Sequence, residues 1–248
     1  MPLCCRSYIR SKGVFAISDV LVDYLEIYNR YPSNDFLSKA QRKARHHELM
    51  MWEKQKYTAM PTIEEIKTFM RKNDALKYEQ PFFLKVVIPC VQRDISEDNI
   101  QSLRFLFECN GMEDYRIGTE RDYVYLFCLG TNFKYNAWNL ADMVLSKEPG
   151  NEIVMYYKYR SIKRVLEYSI HEVPLGVLSG IDGAKKEDIP DMIKNLREFA
   201  TLSKKLNKND NHLIQKCNNM YTAWEQYLSH IKNYNSFEDY LIKHDIAY

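Results

Sequence analysis

Between residues 82 and 159 short runs rich in β-branched and aromatic residues alternate with longer amphipathic ones, and a chain patterned this way has few ways to bury itself. FFLKVVI (82–88) has the composition of a buried strand, and SEDNIQSLRFLFECNG (96–111) reads as a helix closed by Gly111. Residues 115–117 and 123–129 read as a hairpin around GTERD. NAWNLADMVLSK (136–147) is a second helix, and after the turn Glu148-Pro149-Gly150-Asn151 the segment EIVMYYKY (152–159) reads as a last strand.

The resulting order, β-α-β-β-α-β, predicts a central ferredoxin-like antiparallel sheet with both helices on one face. The flanks read as helical. Ser18 is a candidate N-cap for a helix carrying Val20, Leu21, Tyr24, Leu25 and Tyr28, which breaks at Tyr31-Pro32-Ser33. A second helix places Leu37, Ala40, Ala44, His47 and Met51 on one inward stripe. A third opens at a capping box, Thr62 with Glu65, and turns Ile63, Ile66, Phe69 and Met70 inward. VLEYSIHEV (165–173) stays open between a strand and irregular structure, and PLGVLSGIDG reads as a flexible connection. Helices follow at 189–206 and 213–234, the latter with Leu213, Cys217, Tyr221, Trp224, Leu228 and Ile231 on one stripe, and Ser236 caps a short terminal one. The expected fold is α+β: a helical segment (1–78), the ferredoxin-like unit (79–175) and a second helical segment (176–248), packed as one compact domain.

The outward face of that sheet would carry Phe83, Lys85, Tyr123, Tyr125, Phe127, Tyr156, Lys158 and Arg160. Rings interleaved with cations suit single-stranded nucleic acid, because bases stack on the rings while the cations neutralise phosphates. Here residues 82–159 partly resemble an RNA-recognition motif: FFLKVV is similar to its first-strand signature and RDYVYLF to its third. The resemblance implies that Phe83, Tyr123 and Tyr125 stack on bases. It stops short of membership, because Asp122 and Val124 stand where small residues are usual, Cys128 where an aromatic is, and Val86 where Asn is. If terminal helices roof this face, the same rings are core.

A basic helix is the second surface. Lys39, Arg42, Lys43 and Arg45, with His46, crowd two turns and suit phosphate. Arg42 and His47 also form R-x-x-x-x-H, similar to the helical motif of HEPN ribonucleases, a resemblance that implies metal-independent RNA cleavage by those two residues, usually across a dimer. The stretch RHHELMMWEK fails as a zinc peptidase helix, since Met51 stands where the second His is required, and His171-Glu172 fails likewise with Gly176. The glycines 176, 180 and 183 lack phosphate-loop spacing. Asp94, Glu120 and Asp122 read as turn acids, not as a two-metal site.

Composition narrows the classes further. A net charge of +2 over 248 residues argues against a general nucleic-acid coat, so any basic function must sit in a local patch. Of the six cysteines, four lie in apolar runs and none form C-x-x-C, which points to free thiols in a reducing compartment. The basic N-terminal stretch MPLCCRSYIRSKGVFAIS could pass for an organelle-targeting segment but lacks the apolar core of a secretion signal, and no run approaches a membrane span. The chain therefore reads as a soluble cytoplasmic protein without metal or cofactor. Its expected function is binding without catalysis, with single-stranded nucleic acid or a nucleoprotein as ligand. The alternatives are a protein-binding adaptor or inhibitor using the same aromatic and basic surface, and the ribonuclease built on Arg42 and His47.

Overall fold

The computed structural model describes residues 18–31, 37–73, 76, 78, 80–110 and 122–248. Among them the only β structure is one antiparallel hairpin, β1 (Leu178–Ser179) with β2 (Asp182–Gly183). The expected ferredoxin-like sheet is overturned, because the segments meant to form it are helices. The expected hairpin strand at 115–117 and the turn acid Glu120 lie outside the described residues, as do Gly111 and the break at Pro32.

FFLKVVI belongs to a helical stretch, α4 (residues 80–96), in which a π-helical segment, Phe83–Val87, precedes the regular helix Ile88–Ser96. Pro89 supplies the reason. It has no N–H to donate to the carbonyl of Lys85, so the ladder loosens immediately ahead of it, and the Ile88 N–H bonds back to the Phe83 carbonyl, five residues away. The buried positions Phe82, Phe83, Val86, Val87, Ile88, Cys90, Val91 and Asp94 recur at intervals of three to four residues, which is a helical face and not a pleat. The segment 123–129 falls within helix α6 (Tyr123–Gly130), preceded by α5 (Gln101–Asn110); Asp122 caps α6 by accepting from the Tyr125 N–H at 3.0 Å. EIVMYYKY opens α8 (Glu152–Ser169), which follows α7 (Ala137–Lys147) and starts at Asn151, whose side chain accepts from the Val154 N–H.

The chain divides into two compact units, residues 1–109 with 118–137, and residues 110–117 with 138–248. In the first, α1 (Asp19–Arg30), α2 (Lys39–Lys54) and α3 (Ile63–Lys72) stand where the sequence placed helices, and the Thr62 and Glu65 capping box is formed. The Tyr24 ring lies 4.8–5.0 Å from those of Phe82, Tyr28 and Trp52, and the Trp52 indole N–H donates to the Val20 carbonyl at 3.0 Å. The orientation of α2 differs from expectation. Its inward side is Arg45, Leu49 and Trp52, while Ala40, Ala44, His47 and Met51 face solvent. The large Trp52 and Leu49 side chains remove far more apolar area from water than two alanines would, and they decide the rotation.

The second unit is built on α8, α9 (Ile189–Lys205) and α10 (Asn211–Ser229), with α11 (Phe237–Lys243) after a 3-10 turn, Ile231–Asn233. Tyr159, Ile162 and Leu166 of α8 share a core with Leu196 and Phe199 of α9 and Cys217, Tyr221 and Trp224 of α10. Two ionic clusters staple these helices. Lys158, 3% exposed, is held by Asp142 at 2.6 Å and by Glu198. Asp210 accepts from Lys163 at 2.9 Å and from the hydroxyls of Tyr159 and Ser203 at 2.8 Å each. Burial alone would raise the Asp210 carboxyl; the bonds from Lys163, Tyr159 and Ser203 outweigh it and hold the group below its ordinary value.

A depressed carboxyl stabilises the fold above its unfolded-state value, 3.8, and loses that contribution as pH falls through the lower folded value. Asp210→Asn is therefore expected to cost about 1–2 kcal/mol in urea unfolding near neutral pH, allowing for the partial exposure of Lys163. The gap to wild type should close as pH falls below about 4; a gap that stays constant there would show that the carboxylate charge is not what holds the cluster.

Candidate functional site

The residues expected on the sheet face are turned to other uses. Phe83 and Tyr123 stack on each other, centroids 4.4 Å apart and planes 13° from parallel, with Phe83 buried. One face of each ring is covered by the other. The Lys85 ammonium donates to the carbonyls of Glu53 and Gln55 and lies 5.1 Å from the centre of the Tyr57 ring, so it caps the C-terminal end of α2. Tyr125 is half-buried beside Phe133. On α8, Lys158 is consumed by Asp142 and Glu198, and the half-buried Tyr156 lies between the cations of Arg160 at 5.9 Å and Lys208 at 5.4 Å. None of these side chains forms the open, alternating face that strand periodicity predicted.

The basic helix exists. Arg42 and Lys43 are exposed on α2, whereas Arg45 is buried with its guanidinium 5.2 Å from the Tyr28 ring centre. His47 is exposed as well. Five residues of helix separate it from Arg42 and carry the two side chains roughly 140° apart around the axis, so one copy of α2 does not turn both to a common point. Glu48 binds Arg30 and the Tyr31 hydroxyl at 2.8 Å. Asp94 is buried beside Arg93, and Asp122 serves as a helix cap. Among the described residues no group of three or more His, Cys, Asp or Glu is placed to hold a metal ion, and no helix is long and apolar enough to cross a membrane.

One feature with the dimensions of a binding site lies in the second unit. The C-terminal half of α8, the β1–β2 hairpin and the N-terminal half of α9 line a half-open cavity of about 400 Å³. Gly180 sits at φ 65° as the first of the two turn residues, a position that side-chain-bearing residues rarely adopt, and Ile181 follows it at the tip. The hairpin stem is fixed from below: the Ala184 N–H donates to the Val177 carbonyl and the Trp224 indole N–H to the Ala184 carbonyl, both at 2.7 Å. Gly176 lets the chain pass over Trp224, whose ring would lie 3.3 Å from any Cβ placed there.

The walls are Leu166, Leu178 and Met192, and the floor is a satisfied polar pair. The Ser169 hydroxyl lies 2.7 Å from the Leu166 carbonyl and 2.6 Å from the Tyr221 hydroxyl, so Ser169 donates to the backbone and Tyr221 to Ser169. Burial raises the Tyr221 phenol, which keeps it a neutral donor. The rim is apolar and exposed: Val165 at 47%, Tyr168 at 46% and Ile181 at 90%. Asp188 and Asp191 stand on the α9 side and Arg164 on the α8 side. Sequence reading missed this site because two-residue strands carry no periodicity; the one local sign was an isoleucine directly after glycine in a turn, where polar residues are usual.

Nucleophilic chemistry finds no activated thiol among the described cysteines. Burial pushes Cys90, Cys128 and Cys217 up to about 11 and Cys109 to about 12, while Cys4 and Cys5 lie outside the described residues. In native protein at neutral pH these four thiols should resist iodoacetamide and should react once guanidinium unfolds the chain, as read by peptide mass spectrometry. Rapid native labelling of any of them would contradict the burial. Comparison of the chain with protein-family models, with curated proteins and with solved structures found no match.

Proposed function

We propose that this protein is a non-catalytic, protein-binding adaptor that acts in the cytoplasm, and that its C-terminal unit seats an apolar side chain of a partner in the cavity beside the β hairpin. The observation that carries this reading is the grouping of Val165, Tyr168 and Ile181 around a cavity of about 400 Å³. Isolated exposed apolar residues are ordinary; three large ones around a cavity form a surface that gains free energy when water leaves it. A cavity of this size accepts an aromatic or branched aliphatic anchor, the kind of residue that dominates protein interfaces. The carboxylates of Asp188 and Asp191 on one rim favour a partner segment whose anchor is followed by Lys or Arg. Cytoplasmic action is supported by the four described cysteines, all free thiols.

Selection of a displayed random-peptide library against the full chain tests this reading. Enriched peptides are expected to share an aromatic or branched aliphatic residue next to a basic one. Their affinity should fall at least about tenfold in Met192→Arg, which fills the cavity mouth, and in Ile181→Asp, which puts a charge on its rim. Circular dichroism would confirm that both variants are folded. Failure to enrich any such peptide, or binding that both variants leave intact, would refute the assignment of the groove.

A further inference from the structure

The solvent side of α2 remains unexplained by the groove. Two strips run along it. Lys39, Arg42, Lys43 and His46, spaced i, i+3, i+4, i+7, make a cationic one, and all four are exposed. Ala40, Ala44, His47 and Met51 lie beside it at intervals of four, three and four, the spacing of a helix-packing seam, with Met51 58% exposed.

The cationic strip is misplaced for the helix's own stability. Lys39 opens the helix, no acidic residue occupies the first turn, and the positive end of the helix dipole repels cations there. No described carboxylate is paired with Lys39, Arg42 or Lys43; the one nearby acid on the helix, Glu48, is taken by Arg30 and Tyr31. Charges that oppose the local rules of helix stability and find no carboxylate among the described residues mark a place where the rule is set aside for something outside it.

The geometry points to an interaction surface for an acidic amphipathic helix of a partner protein, its carboxylates meeting Lys39, Arg42, Lys43 and His46 while its apolar edge packs on Ala40, Ala44 and Met51. Charge complementarity selects an anionic occupant. The apolar seam selects protein over nucleic acid, since a sugar-phosphate strand would leave it wet, and the largest ring of α2, Trp52, is buried where no base can stack on it. This surface is separate in residues from the hairpin groove, and its test does not depend on that site.

The probe is a fluorescent three-heptad peptide with Leu at its a and d positions and Glu at e and g, titrated onto the full chain by anisotropy. Saturable binding that weakens as salt rises is expected. Arg42→Glu with Lys43→Glu should weaken it at least about tenfold, and Ala44→Glu by a comparable factor, because that change charges the seam. All three positions are exposed, so the folds should match wild type by circular dichroism, and Met192→Arg should bind the probe as wild type does. Absence of saturable binding, variants that bind unchanged, polyglutamate binding as tightly as the amphipathic peptide, or a single-stranded RNA oligomer binding more tightly than the peptide would each overturn the assignment.

Discussion

The C-terminal unit depends on how α8 disposes of its charges. Its sequence carries Lys158 and Lys163 among tyrosines and aliphatics, so closing a core around it requires carboxylates delivered from other elements. Glu198 of α9 and Asp142 of α7 meet Lys158; Asp210, just before α10, meets Lys163 and the Tyr159 hydroxyl. A buried charge without its partner, Lys158 in one pair and Asp210 in the other, costs several kcal/mol, so these pairs tie the helices to one relative position more through the penalty for misplacement than through net attraction. Phe199 stacking on Tyr159 at 5.2 Å marks the same register in apolar contact.

That register is what shapes the groove. With residue 199 of α9 beside residue 159 of α8, the antiparallel run brings Met192 and Asn195 opposite the 164–169 segment, where the cavity opens. Trp224 fixes the hairpin through the Ala184 carbonyl, and the hairpin sets Ile181 at the rim. The floor hydroxyls of Ser169 and Tyr221 satisfy each other and the backbone, so the site offers shape and apolar surface without an activated group.

In the first unit the comparable constraint is Pro89. It removes one donor from a helix otherwise able to run unbroken, and the π-helical turn ahead of it moves Lys85 to where its ammonium reaches the last carbonyls of α2. A residue that looked like a phosphate ligand is a cap between two helices. Phe83, beside it, is paired face to face with Tyr123. The side chains that most suggested nucleic acid are thus the ones that join α4 to its neighbours.

Local rules sufficed wherever the sequence carried its own punctuation. Thr62 with Glu65 opens α3 and Ser236 starts α11, because a cap is a bond between a side chain and a backbone only a few residues away; Ser18 precedes α1 without such a bond, its hydroxyl donating to Glu65, and Asn151, read as the turn before a strand, caps α8. The long helices α9 and α10 were legible from apolar spacing over four or more turns. The segments 82–88, 123–129 and 152–159 were not, since a short run rich in valine, tyrosine and phenylalanine fits a pleat or a helix face equally well until something packs on it. The same holds for which side of α2 is inward and for the groove. Tertiary structure decided these, because burial of Trp52, pairing of Lys158 and anchoring of the hairpin on Trp224 are contacts between residues far apart in the chain, and no local pattern encodes which distant partner will arrive.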